Sequence, residues 1–429
     1  MHDINSIVQN PQKYKYYLEI RNENPFIIDQ ILEINKKRKE LINQLNNLRN
    51  QKNKISDKIG RRQYSTEEEK GSLINDSNLI DNEIKQIEPV LNEVEENIKN
   101  LLLNIPNIVY EDVPAGKDSN DNVIVYEEKF DLKFDFEPLP HWDLAEKLSV
   151  IDFERGVKLS GSRFYIMKGK LAKLQRALIN FFLDFHTQKH NYKELYLPFI
   201  VKRHCLLGAG QLPKFEDNLY KDQEDDMWLV PTAEVPLTNI YHDEILPFDM
   251  LPLYYVAYTP CFRKEKIAAG KDVRGIKRGH QFDKVELYKF VLPENSDQEL
   301  EKLVQDACDI LKALELPYRV VKLCSGDLGF AAAKTYDIEV WAAGCKEWLE
   351  VSSCSNVLDF QARRANIRFR RTPASKPEYV HTLNGSGLAL PRVVVAILEN
   401  YQQKDNSIKI PKNLVPYTGF DKIEITWKY

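Results

Sequence analysis

The 429-residue chain sets 60 Lys+Arg against 64 Asp+Glu, a formal net charge of −4, which excludes a uniformly basic nucleic-acid coat and leaves room for local basic patches. With 43% hydrophobic and 29% charged residues it can bury a sizeable core, and at ~100–200 residues per domain it is long enough for two or three domains. It has no run of ~18 apolar residues, no signal-like stretch in residues 1–15 and no C-x-x-C among its six cysteines; we expect a cytoplasmic protein without a membrane span, disulfide framework or zinc knuckle.

Residues 24–105 differ from the rest. Apolar residues at Ile27, Ile31, Ile34, Leu41, Leu45, Leu48, Ile55 and Ile59 step by three and four, with Arg38 and Lys52 filling the two remaining seam positions. A second series follows at Ile80, Ile84, Ile87, Leu91, Val94, Ile98, Leu101 and Ile105. Sustained 3-4 spacing predicts a coiled coil. Between the series, residues 60–66 form a turn, and Thr66 is placed to cap a helix opening on Glu67, Glu68 and Glu69. The region therefore reads as an antiparallel helical hairpin, each arm reaching on the order of 50 Å at ~1.5 Å per residue. Pro89 falls inside the second helix, where it is expected to produce a kink. Residues 31–62 carry ten basic and three acidic side chains, and residues 67–100 carry three and ten. Mutual neutralisation across the hairpin accounts for this asymmetry. So does a basic face offered to a phosphate backbone.

Residues 105–121 read as the end of the hairpin and a polar linker, dividing the chain into an arm at 1–110 and a second domain at 111–429. From about residue 142 the pattern becomes α+β. Helices are predicted at 171–186 and 296–314, and strands at 192–199, 227–230, 253–258, 285–291, 318–323, 337–341 and 348–352. Many strands with few β-α-β alternations favour a mainly antiparallel sheet flanked by helices.

Neither G-x-x-x-x-G-K-[ST] nor G-x-G-x-x-G occurs, so a bound nucleotide needs another cradle. The candidate is a hairpin whose strands flank a long, mobile link containing Gly270 and Gly275. Residues 263–278 hold seven basic and two acidic side chains. By charge alone this is either a solvated basic tip or a site for polyphosphate or an RNA end. His204, His242, His280 and His381 show no triad or metal-ligand spacing and read as structural. Cys324, Cys345 and Cys354 read as core thiols.

The order F-R-x-E at 262–265, loop, R-x-x-x-F at 278–282 resembles motif 2 of the class II aminoacyl-tRNA synthetases. G-x-G-x-A-x-x-R at 385–392, with the apolar run that follows, resembles their motif 3. The helix at 171–186 with the strand ending at Pro198 resembles motif 1, the dimer-interface motif. Together with the N-terminal hairpin, T-A-E at 232–234 and E-V-S-S at 350–353, the chain is similar along nearly its whole length to the seryl-tRNA synthetases of bacterial and organellar type.

That resemblance implies an ATP-dependent ligase that makes seryl-adenylate and transfers serine to the 3′ end of tRNA(Ser), with tRNA(Sec) as an additional candidate. Arg263 would hold the α-phosphate and the serine carboxylate, and Arg392 the γ-phosphate. Where two anions meet, fixed positive charge lowers the barrier. The ATP site would comprise Arg263, Lys264, Glu265, Arg278, Gly279, Phe282, Glu350, Val351, Ser352, Ser353 and Arg392, with adenine between Phe282 and Arg278 and its amino group on Glu265. Glu350 and Ser353 would ligate Mg²⁺, a hard cation that takes oxygen ligands. Thr232, Ala233, Glu234, Glu286 and Ser386, with Arg263, would form the serine pocket, Glu286 meeting the ammonium and Ser386 the hydroxyl. Lys36, Lys37, Arg38 and Lys39 would contact tRNA, and the protein would be a homodimer. Two other readings stand beside this one: a non-catalytic paralogue, and a synthetase-like enzyme using another amino acid or loading a carrier protein. The first should have lost ATP-clamp residues, yet Arg263, Glu265, Phe282, Glu350 and Arg392 are present.

Overall fold

In the computed structural model, which describes residues 1–130, 132–266 and 274–425, the two apolar series fold as α1 (Phe26–Gly60) and α2 (Glu67–Leu103). The hairpin is antiparallel, since its cross-links descend in one arm as they ascend in the other: Arg38–Glu95 and Arg49–Glu88 at 2.9 Å, Lys52–Asp81 at 2.5 Å. Both cationic seam residues thus meet an acid across the seam. Ile31 and Leu45 are buried against α2, which buries Val94 and Ile98 of the second series and Leu102 rather than the expected Leu101, which is half-buried. Thr66 caps α2 as expected: its Oγ1 accepts the Glu69 N–H at 3.1 Å, and the Glu69 carboxylate accepts the Ser65 N–H at 2.6 Å. Pro89 does not end the helix, which runs 37 residues through it. Packing of the seam on either side offsets a proline cost of ~3 kcal/mol. Two short helices, Ile4–Gln9 and Pro11–Ile20, precede α1.

The chain divides into two compact units, residues 2–105 and 106–429, with Met1 in the second. The second unit is built on an eight-stranded sheet. In chain order its strands and main helices are β1 (Val123–Glu128), α3 (Gly169–Lys189), β2 (Lys193–Glu194), α4 (Glu234–Asn239), β3 (Leu253–Phe262), β4 (Gln281–Val291), α5 (Ser296–Ala313), β5 (Tyr318–Lys322), β6 (Lys334–Ala342), β7 (Glu347–Leu358), β8 (His381–Ala389) and α6 (Leu390–Asn400). The spatial order is β1-β5-β6-β7-β8-β4-β3-β2, antiparallel throughout except β2 on β3. The expected strand at 192–199 is a correction: only Lys193 and Glu194 pair as β2, and a separate short strand, Ile200–Lys202, follows. Pro198 has no N–H to extend the ladder.

Alternation gives this sheet two different faces. Val285, Leu287, Leu383 and Leu388 point one way, into a core closed by Leu300, Leu303 and Ala307 of α5 and Val393, Val394 and Ile397 of α6. At one end of the other face, Tyr288 and Phe290 pack under Ala233 and Leu237 beside α4. Farther along that face β4 carries the buried polar residues Lys284 and Glu286.

Candidate active site

Three adjacent strands contribute alternate residues to a cleft of about 290 Å³. β4 supplies Phe282, Lys284 and Glu286; β7 supplies Ser353 and Ser355; β8 supplies Asn384 and Ser386. Two bulges widen the set. The β6–β7 register shifts between Ile338 and Glu339, so that Glu350 and Val351, neighbours in sequence, both line the cleft. The β8–β4 register shifts after Ser386, admitting Ala389 and, at the start of α6, Arg392.

The basic hairpin closes one end. Its roots are tied together: the Arg263 N–H donates to the His280 carbonyl at 2.9 Å, and His280 Nδ1 lies 3.0 Å from the Arg263 carbonyl. His280 is therefore structural, as expected. Of the link between the roots, residues 267–273, including Gly270, lie outside the described residues. Arg263 Nε donates to the Pro231 carbonyl at 3.1 Å, and its guanidinium lies over the Phe282 ring, 5.2 Å from the centroid. Arg278 lies 3.5 Å from Glu265, whose backbone sits at a φ of +48°. Arg392 donates from Nη1 to the Glu350 carbonyl at 2.5 Å and lies 3.5 Å from its carboxylate.

At the opposite end two carboxyls face each other in a dry corner. Glu286, 1% exposed, is 2.5 Å from Lys284 Nζ and accepts from Thr232 Oγ1 at 3.4 Å. Glu234 accepts from Gln361 Nε2 at 2.6 Å; burial, then repulsion from Glu286, raises its pKa to about 7. Thr232 also accepts the Glu234 N–H at 3.3 Å, so it satisfies the opening of α4 while touching Glu286. Ala233 is fully buried beneath this corner and is not part of its lining.

The third corner is oxygen-rich. Asp337 on β6 is the direct partner of Ser353 on β7 and is hydrogen-bonded to it. Burial and the nearby Glu350 push its carboxyl well up, and its Oδ1 has no hydrogen-bond partner among the described residues. With the carboxylate of Glu350 and the hydroxyl of Ser353 on the cleft side, this donor set is the hard-oxygen kind that suits Mg²⁺.

The cleft brings together Glu234, Arg263, Glu265, Arg278, Gly279, Phe282, Glu286, Glu350, Val351, Ser353, Ser386 and Arg392. Ser352 faces the other way, 1% exposed, its hydroxyl donating to the Ser386 carbonyl at 2.6 Å. Lys264 lines a neighbouring groove instead. On the arm, Lys36, Lys37 and Lys39 are exposed, whereas Arg38 is committed to Glu95. Sequence reasoning missed Lys277, Lys284, Asn384, Asp337 and Gln361. Lys284 was within reach of it, since 282, 284 and 286 share one face of a strand. Asp337 and Gln361 come from other elements and carried no local signal.

Residues 1–109 match the family model described as the seryl-tRNA synthetase N-terminal domain, and residues 214–401 match the tRNA synthetase class II core domain (G, H, P, S and T). The chain is 53% identical over 423 residues to a serine–tRNA ligase of Dehalococcoides mccartyi, covering 99% of this chain and 100% of the relative. Among solved structures it is similar to seryl-tRNA synthetase from Pyrococcus horikoshii complexed with ATP, at 40% identity and a TM-score of 0.93 over all of both chains. It is also similar to a cytoplasmic serine–tRNA ligase from Naegleria fowleri in complex with AMP, at 30% identity and a TM-score of 0.84 over 97% and 96% of the two chains.

Proposed function

The chain belongs to the seryl-tRNA synthetase family and is a serine–tRNA ligase, and from that premise we propose that the three-strand cleft is where it joins serine to AMP. A serine carboxylate oxygen bonds to the α-phosphorus of ATP, pyrophosphate leaves, and the 3′-terminal hydroxyl of tRNA(Ser) then takes the seryl group and releases AMP. Arg263 bears on the meeting point of the two anions, where positive charge fixed in advance stabilises the transition state most. Arg392 receives the departing phosphates. Phe282 offers the adenine a platform, and Glu265, poised between Arg278 and the cleft, accepts from its amino group. The ammonium of serine goes to the Glu286 corner and the hydroxyl to Ser386. No side chain need act as nucleophile, because the substrate brings its own carboxylate.

Glu350 and Ser353 would hold Mg²⁺, which supplies charge neutralisation to the phosphates. The exposed Lys36, Lys37 and Lys39 are the arm's phosphate contacts in this reading. Homodimerisation through the motif 1 segment is supported by Tyr196 and Ile200, which flank Pro198 and are 87% and 52% exposed. A fully active monomer in sedimentation at low protein concentration would contradict it. Cytoplasmic residence accords with six cysteines that are all unpaired and with no described helix being long and apolar enough to cross a membrane.

The observation that carries the reading is the convergence on one cleft of Arg263, Phe282, Glu286, Glu350, Ser386 and Arg392 from a hairpin root, three strands and a helix start. ATP–pyrophosphate exchange with each of the twenty amino acids tests it: exchange with serine alone is expected, and exchange with none, or with another amino acid, refutes it.

A further inference from the structure

Behind the Arg392 end of the cleft, four chain segments meet around one buried pair, His141 and Glu399. Glu399 of α6, fully buried, accepts the backbone N–H of His141 at 2.9 Å and that of Cys345 at 2.8 Å. His141 Nδ1 lies 2.8 Å and Cys345 Sγ 3.1 Å from the same carboxylate oxygen, Oε1. Across the imidazole ring, the Ile276 N–H points at His141 Nε2 from 3.2 Å. Both His141 and Ile276 are fully buried.

A histidine, a cysteine and a glutamate whose ligand atoms all lie within 4.8 Å of one another also form a metal-ligating set. The Ile276 amide decides between a metal and a hydrogen-bonded node. A backbone N–H can only donate, so Nε2 must present its lone pair, and the single proton of a neutral imidazole then sits on Nδ1, directed at Glu399. A cation at Nδ1 would displace that proton and require an imidazolate. Burial and the Glu399 charge also push the Cys345 thiol up, keeping it a donor. The carboxylate is satisfied by four donors, two backbone and two side-chain, without a cation.

The node lies directly under the ATP machinery. Ile276 is followed by Lys277 and Arg278, which line the cleft. The Lys277 carbonyl lies 3.5 Å from Arg392 Nε, and its ammonium is 2.6 Å from Glu347. Arg392 stands seven residues before Glu399 on α6, which is about two turns along the same helix face. Gly275, at a φ of +83°, lets the backbone pass against the ring: a Cβ there would fall 2.0 Å from His141 Nε2.

We propose that His141 is a positioning residue for ATP, its Nδ1–H bonded to Glu399 and its Nε2 to the Ile276 N–H, so that the root of the basic hairpin is tied to α6 and Arg278 is held in register with Arg392. The proposal rests on the reading of the cleft as the ATP site. Two substitutions split the ring. Asparagine reproduces the Nδ1 half and keeps a donor for Glu399; glutamine reproduces the Nε2 half and keeps an acceptor for Ile276.

The experiment combines hydrogen exchange of the 274–278 segment in the free protein, kinetics of serine-dependent pyrophosphate exchange, and zinc analysis of the purified parent. In the parent, the Ile276 amide should exchange slowly and zinc should be absent. His141→Asn should release that amide and lower kcat/KM for ATP by about 10- to 100-fold, with KM for serine within about twofold. His141→Gln should keep the protection and lose less than about fivefold, and Cys345→Ser, still a donor, less than about threefold. Fast exchange at Ile276 in the parent, one zinc per chain, or equal losses toward ATP and serine in both His141 variants would overturn the proposal. Amide protection and zinc content are read without substrate, so the node can fail while the parent's serine-dependent exchange stands, and the reverse.

Discussion

The helical arm and the three-strand cleft are both dense in charge and use it in opposite ways. In the arm, the paired side chains of Arg38–Glu95, Arg49–Glu88 and Lys52–Asp81 are between 33% and 56% exposed. Such pairs contribute at most ~1 kcal/mol each and are screened over ~10 Å in ordinary salt. In the cleft, Lys284 and Glu286 pair at 9% and 1% exposure, and the neighbouring Glu234 is displaced far enough to hold a proton near neutrality. Wet charge spread along two long helices suits weak, additive, salt-sensitive contact with a polyanion. Dry charge confined to about 290 Å³ suits one small substrate and one transition state. Breaking one should therefore leave the other standing.

The largest effect is expected at Arg263. In the proposed reaction, replacing it with Ala removes a fixed cation from the point where charge develops, so serine-dependent pyrophosphate exchange should fall ~10²–10³-fold. Far-UV circular dichroism should be unchanged and tRNA affinity, measured by filter binding, within about twofold. Parallel loss of both activities would mean that the two charge systems are not separable.

Next comes Glu234. Its folded pKa is raised to about 7 by burial and by Glu286, above an unfolded value near 4.5. Between those values the folded protein holds a proton that the unfolded chain has released, so stability falls as pH rises from about 4.5 and levels off above 7. The full penalty is about 3 kcal/mol in order of magnitude. Glu234→Gln keeps an acceptor for Gln361 and abolishes the titration. Its Tm should rise relative to the parent between pH 5 and pH 8; a constant difference across that range would show that Glu234 is not the proton holder.

The arm was almost wholly legible in the sequence, because a coiled-coil seam is a local pattern. The 3-4 steps, the Thr66 cap and the charge asymmetry are all read within one or two helical turns. Pro89 was legible too, as the one position where propensity works against a helix that seam packing carries on through it. The cleft was legible only where residues sit in recognisable motifs, as with Arg263, Phe282, Glu350 and Arg392. Its remaining geometry depends on strand order and register. Asp337 meets Ser353 only because β6 pairs with β7, and Glu350 and Val351 share the cleft only because of a bulge. His141 is more than 130 residues from Ile276 and 258 from Glu399, and no window along the chain contains such a node.

A smaller effect is expected from the arm's surface. Replacing Lys36, Lys37 and Lys39 together with Ala should raise KM for tRNA in the charging reaction by about tenfold. It should also make the log–log salt dependence shallower by about two to three, one counterion per lost phosphate contact. Pyrophosphate exchange should stay within about twofold. A fall in exchange of the same size as the fall in charging would tie the arm to activation.

The smallest effect sharpens the comparison most, because it concerns a single residue that could serve either purpose. Arg38 lies in the same basic run as the three lysines but points across the hairpin to Glu95 at 2.9 Å, its side chain 33% exposed. If its charge belongs to the hairpin, a double-mutant cycle of Arg38→Ala and Glu95→Ala should give a coupling of about 0.3–1 kcal/mol in thermal stability, diminishing with salt. Glu95→Ala alone should then leave the salt slope of tRNA binding where it was. If instead Glu95 merely holds back a phosphate ligand, removing it frees a cation, and the slope should steepen by about one while affinity at low salt rises. A steeper slope in Glu95→Ala would reassign Arg38 from the hairpin seam to the RNA. An unchanged slope would fix the division of labour within one basic cluster: the lysines turned to the polyanion, the arginine to the partner helix.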